Sequence, residues 1–292
     1  LGITSWEATA SGNPSLKSLA GKVTELMPMP QRKTGASYDE TIVLNAALEA
    51  AVRDLFSHTG PTGQRALDAV ARRLQTEATD GKPADVVERS MAYGQSVAAH
   101  ILAWSQTDGG ATVENMGFPV SMELPKGPGL WVPTSAIRQQ QLPLLPAWGK
   151  NRLFALPDSK ACGLPPPPAY SEESGSTFHK EALEVYETTK ALTDEQKLIA
   201  RFWSDDPMLT PTPPGHWIAI VLQIAERDSL TVDRTAEAFA RTGIAVADAF
   251  IACWRDKFVF NLVRPITYIR KHIDPKFEPL LITPPFPEFP SG

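Results

Sequence analysis

Proline placement constrains this chain more than any other feature. Of its 292 residues 27 are proline, and they crowd into a few stretches. Between Phe118 and Ala169 they recur at Pro119, Pro125, Pro128, Pro133, Pro143, Pro146 and Pro157, then run unbroken from Pro165 to Pro168. Each fixes φ and removes a backbone donor, so this density excludes a long helix or a central strand there. The embedded aromatics Trp131, Trp148 and Phe154 predict a connector packed onto its neighbours.

Outside that stretch the periodicity is helical, and no convincing strand alternation or fixed-period repeat interrupts it. Residues 1–37 lack a sustained period and read as an irregular lead-in. Ser37-x-x-Glu40 has capping-box spacing and opens an Ala/Leu-rich helix to about Phe56, broken by Pro61-Thr-Gly63. Further helices are expected over 64–77, 84–105, 180–189, 193–203 and 215–227, with the longest over 231–263. The fold class is all-α, a helical bundle. Its regions are the lead-in 1–37, an N-terminal helical region 38–117, the Pro-rich connector 118–175 and a C-terminal helical region 176–292.

Composition excludes several function classes. Net charge is -5, against the strong positive field of a typical nucleic-acid binder. The longest apolar run, Trp217 to Ala225, is far short of the roughly 20 residues a membrane span requires. Cys162 and Cys253 are too far apart for a metal knuckle or a CxxC pair, and packing roles are expected for both. The phosphate loop, the GxGxxG turn, HExxH and GxSxG are all missing. His58, His100, His179, His216 and His272 are scattered, with His100 a helix residue and His216 expected to engage local backbone. Asp205-Asp206 read as turn residues ahead of a proline. The sequence opens on Leu1 with no basic-then-apolar leader, as in a processed or a trimmed chain; this permits export without showing it, with a secreted or periplasmic location favoured. Nothing in it sets an oligomeric state.

The informative segment is the long helix near the end. Val232, Ala236, Phe239, Val246, Phe250 and Cys253/Trp254 form an apolar stripe, and Lys257 falls on it, four residues after Cys253. A lysine aimed at a core needs an anion, because desolvating its charge is costly. Seven residues on, about 700° of helical rotation would return Arg264 to within ~20° of the same face. Pro265 disfavours helical geometry at Arg264 and should stop the helix there. A guanidinium fork and an ammonium together suit a tetrahedral oxyanion. Ser291, after Pro290, is a helix N-cap candidate whose hydroxyl and following N–H groups would add oxyanion donors. The alternative is a non-catalytic helical binding module, in which Lys257 and Arg264 merely pair with acids such as Glu237 or Asp248.

Lys257-x6-Arg264-Pro265, followed by Pro290-Ser291-Gly292 in a Phe-Pro-x-Phe-Pro-Ser-Gly context, resembles the first and most of the second of three signature blocks of the vanadium-dependent haloperoxidase and type 2 phosphatidic-acid phosphatase superfamily. Ala249 to Trp254 and Pro265 to Tyr268 resemble its soluble bacterial haloperoxidase-like members. The signature covers about the last 40 residues of the chain. The resemblance implies that Lys257, Arg264, Ser291 and the Gly292 N–H hold the equatorial oxygens of vanadate, or of phosphate in the same site, with Trp254 and Phe286 lining the pocket. It implies hydrogen peroxide and halide as reactants in a peroxidase, or a phosphate ester in an acid phosphatase. In the family a histidine directly follows Pro-Ser-Gly, and a later block brings an arginine and the histidine that ligates vanadium or attacks phosphorus. The sequence ends before these, so no metal ligand is assigned. A chain represented only in part is expected, with the C-terminal part of the bundle missing and neither activity shown alone.

Overall fold

The computed structural model describes residues 1–115, 122–135, 142–204 and 212–290, without the side chains of 113–115 and 212–213. Ten α-helices occur among them, with no strand beyond one isolated antiparallel bridge between Leu130 and Leu262. The chain divides into two compact units, 1–108 with 217–247 and 109–216 with 248–292.

Unit 1 begins with a correction. The expected irregular lead-in contains helix α1 (Gly2–Ala10), which buries Ile3, Thr4, Glu7 and Ala8. Buried Glu7 is satisfied by the Leu19 N–H, 2.6 Å away, which ties the helix to the loop after it. The next helix, α2 (Glu40–Leu55), is capped by Asp39, not by Ser37. The Asp39 side chain accepts from the Thr41 and Ile42 N–H groups and pairs with Lys82 at 2.7 Å. Pro61 does not break a helix; it is the first residue of α3 (Pro61–Thr79), where its missing N–H costs nothing. α4 (Ala84–Ser105) packs on α2 so closely that a Cβ on Gly94 would lie 2.3 Å from the Val43 carbonyl oxygen. Ala8, Val43, Ala47, Tyr93 and Val97 form the core of this packing.

Unit 2 starts with the short helix α5 (Gly110–Asn115) and the Pro-rich connector, which among the described residues includes a 3-10 turn over Trp148–Lys150. The connector is packed down, as Trp131 is fully buried and Trp148 meets Phe250 edge-on at 5.9 Å. Helix α6 (Thr177–Ala191) is capped by Ser176, and α7 (Asp194–Trp203) has a complete capping box between Thr193 and Gln196. Of the three unit boundaries, the first lies between α4 and α5 and the other two fall inside α8 (Thr212–Arg227) and α9 (Val232–Phe260). α10 (Pro265–His272) follows, and its Ile266, Tyr268 and Ile269 join Phe178, Ala182, Val263 and Phe277 in the second core. Each large apolar side chain so buried contributes about 1.5–3 kcal/mol.

Two sequence expectations about α9 fail. Val232, placed on its apolar stripe, is exposed at the helix start. The helix also ends at Phe260, four residues before Arg264, because Asn261 adopts a left-handed conformation with φ 45°. Asparagine tolerates that geometry, and its N–H still donates to the Lys257 carbonyl at 2.8 Å. Pro265 therefore opens α10 instead of closing α9. Cys162 is exposed and not packed, whereas Cys253 is partly buried. Asp205 and Asp206 lie outside the described residues.

Candidate functional site

Lys257 and Arg264 meet, although not by the route that helical rotation suggested. Lys257 stays on α9 and is 2% exposed, while Arg264 sits in extended backbone as the residue preceding α10, at 8%. A tight turn, not a continuing helix face, brings the guanidinium back. The segment 284–290 then crosses both cations. Its path is pinned by main-chain bonds from Leu144 N–H to the Pro285 carbonyl at 2.8 Å and from Glu288 N–H to the Leu262 carbonyl at 3.1 Å.

Lys257 Nζ faces carbonyl oxygens of that segment, at 3.5 Å from Pro287, 3.4 Å from Glu288 and in a short contact with Pro290. Among the described residues no carboxylate pairs with it. Burial pushes its pKa below the ordinary lysine value; Cys253 and Glu288 oppose that shift and Arg264 adds to it. Arg264 donates through Nε to the Phe286 carbonyl at 2.7 Å and through Nη1 to Glu288 Oε2 at 2.6 Å. Its Nη2 is buried with no hydrogen-bond partner among the described residues. Burial also lowers the Arg264 pKa, against the attraction of Glu288.

The aromatic wall is built from both elements. Phe286 lies 4.9 Å from the Arg264 guanidinium and 5.1 Å from Lys257 Nζ, and the Trp254 ring 5.7 Å from the same ammonium. Trp254 and Phe286 touch at 4.9 Å between centroids, and the Trp254 indole N–H donates to the Leu144 carbonyl at 3.2 Å. Aromatic faces this close to desolvated cations contribute up to about 2 kcal/mol each.

Ser291 and Gly292, the two remaining candidate residues, lie outside the described residues, directly after Pro290. Lys257, Arg264, Trp254 and Phe286 are brought together. Neither acid named as a structural partner is at the site. Glu237 pairs with Arg234 and Arg241, and the Asp248 carboxylate accepts the backbone N–H groups of Phe154, Ala155 and Leu156 at 2.6, 2.8 and 2.9 Å. The residue missed by sequence reasoning is Glu288, which does pair with Arg264. His216 stacks on Trp203 at 5.2 Å, and His179 Nδ1 lies 3.3 Å from the Tyr268 hydroxyl. Among the described residues no group of three or more His, Cys, Asp or Glu is arranged to hold a metal cation. Among the described residues no helix is long and apolar enough to cross a membrane. A cavity of about 400 Å³ lies in unit 1, lined mainly by apolar residues of α2 and α3 and by none of the site residues.

Among the described residues the donor set therefore fits an oxyanion: two buried cations, one compensating carboxylate, and an unused guanidinium N–H. A family model described as "VCPO second helical-bundle domain" matches residues 237–276, which include Trp254, Lys257 and Arg264. No curated protein matches the sequence. The solved structure of the first bacterial vanadium-dependent iodoperoxidase is similar over 98% of this chain and 68% of its own, with 32% identity and a TM-score of 0.86. Apo and holo structures of a bacterial vanadium-dependent chloroperoxidase share the fold at TM-scores of 0.61, with 17% and 15% identity. Both cover 92% of this chain, which spans 63% and 61% of theirs. With fold, donor set and a relative of that identity in agreement, the chain belongs to the vanadium-dependent haloperoxidase family.

Proposed function

We propose that this chain contributes Lys257, Arg264, the Ser291 hydroxyl and the Gly292 N–H to a vanadate site at which halide is oxidised with hydrogen peroxide. The observation that carries this reading is Nη2 of Arg264, a buried charged donor with no hydrogen-bond partner among the described residues, beside a second buried cation. An unsatisfied buried donor costs about 1–3 kcal/mol, more when charged, and an oxyanion in the cradle removes that cost. Nε and Nη1 are already engaged, which fixes the plane of the fork and the direction of the remaining donor.

Vanadate, when bound, supplies a Lewis-acid centre toward peroxide. The residues of this chain do the rest. Lys257, held rigid by carbonyl oxygens, presents positive charge where negative charge develops on oxygen. Trp254 and Phe286 exclude water from that side and strengthen each charge interaction by lowering the local dielectric. Similarity to an iodoperoxidase supports iodide as the first halide to test, with bromide beside it.

The experiment incubates the protein with orthovanadate, peroxide and iodide or bromide, and in parallel with a chromogenic phosphate ester. Vanadate-dependent halogenation that phosphate competes away is the expected result. Ester hydrolysis inhibited by vanadate would instead assign the acid-phosphatase activity of the superfamily.

A further inference from the structure

One carboxylate intrudes on this cationic cradle, and no part of the oxyanion-binding reading requires it. Glu288 Oε2 accepts from Arg264 Nη1 at 2.6 Å, and its own backbone is tied down on both sides. Its N–H donates to the Leu262 carbonyl at 3.1 Å, two residues before Arg264, and its carbonyl lies 3.4 Å from Lys257 Nζ. The Arg264 side chain is 9% exposed and that of Glu288 28%, so the pair is largely desolvated at the guanidinium end. The acid thus sits where a bound anion would feel its charge.

We propose that Glu288 is an internal counter-ion and positioning residue. It orients the Arg264 fork so that Nη2 is the donor left for the oxyanion, and its charge holds oxyanion affinity below what the two cations alone would give. This rests on the oxyanion-binding reading above. In the unliganded protein Lys257 and Arg264 would otherwise be two buried like charges, and removing one partner of a buried pair is strongly destabilising. In the liganded protein the same carboxylate repels the incoming anion across a short, poorly screened distance. The net effect is a cradle stable when empty that binds its anion reversibly.

Glu288→Gln separates orientation from charge, because the amide oxygen still accepts from Nη1 while the charge is gone. The experiment measures dissociation constants for inorganic phosphate and orthovanadate, together with thermal midpoints, for wild type, Glu288→Gln and Glu288→Ala in the whole protein. Glu288→Gln is expected to bind phosphate about tenfold more tightly than wild type, each decade being about 1.4 kcal/mol. Its unliganded midpoint is expected to fall and its ligand-induced rise in midpoint to grow. A purely structural role would weaken binding instead, and unchanged or weaker binding by Glu288→Gln, with wild type binding normally, overturns the proposal. If only Glu288→Gln binds, the counter-ion role stands in its extreme form. If neither variant nor wild type binds either anion, the oxyanion reading itself fails. Glu288→Ala, lacking the accepting oxygen, is expected to lose the stability that Glu288→Gln retains; equal midpoints for the two would remove the positioning half of the proposal.

Discussion

Arg264 and Phe286 are joined twice, by a 2.7 Å hydrogen bond from Nε to the Phe286 carbonyl and by the guanidinium lying 4.9 Å from the centre of the phenyl ring. One residue of the 284–290 segment thus holds the fork by its backbone and shields it by its side chain. Phe286→Leu keeps the carbonyl bond and most of the bulk but loses the π face shared with Lys257. We expect a loss of about 1–2 kcal/mol of stability, read as a lower denaturation midpoint with unchanged denaturant slope.

Asp248 anchors the connector to α9 through three backbone N–H groups. Asp248→Ala orphans all three donors, and about 2–4 kcal/mol should be lost in chemical denaturation. Asp248→Asn keeps one acceptor and should recover part of it. Equal stability of wild type and alanine variant would show that the anchor is dispensable.

The connector also approaches α9 at Gly149, where an added Cβ would lie 2.4 Å from both the Cα and the backbone nitrogen of Arg255. Backbone atoms cannot move aside cheaply. Gly149→Ala should therefore cost about 1–3 kcal/mol. Circular dichroism melts would detect the lowered midpoint.

Lys257 gives a pH dependence with a definite sign. Burial lowers its folded pKa below the ordinary 10.5. Between the two values the unfolded chain binds more protons, so this group's contribution makes stability rise with pH there. Below the folded pKa the full penalty of burying the ammonium is present. Lys257→Met removes that penalty, so its stability advantage over wild type should shrink as pH rises toward 10.5. Oxyanion binding runs the other way and should weaken as Lys257 loses its proton. An advantage constant with pH would sink this reading.

Much of the fold was legible because the signals are local. α4 ends where its periodicity ends, at Ser105, and Thr193 caps α7 by the side-chain chemistry its sequence announces. The all-α class followed from helical periodicity and from a proline density that excludes strands. Sequence and structure part where one local signal has a close competitor. Asp39, one residue before the helix, takes the capping role in place of Ser37, and Pro61 opens α3 instead of lying in the break before it. At the site, the left-handed Asn261 ended α9 before Arg264, so the convergence inferred from helical rotation arises from a turn. Glu288 was invisible for a different reason. Its pairing with Arg264 depends on the return of a segment 24 residues away, which no periodicity encodes.

The most direct test of the central claim is an equilibrium titration of orthovanadate into wild type and Arg264→Lys. A lysine can replace the charge but not the fork in which Nε and Nη1 are fixed and Nη2 has no partner among the described residues. Wild type should bind vanadate in competition with phosphate, and Arg264→Lys should bind at least about tenfold more weakly, a loss of ~1.4 kcal/mol or more. Equal affinity in the two proteins would contradict the assignment of Arg264 as an oxyanion ligand.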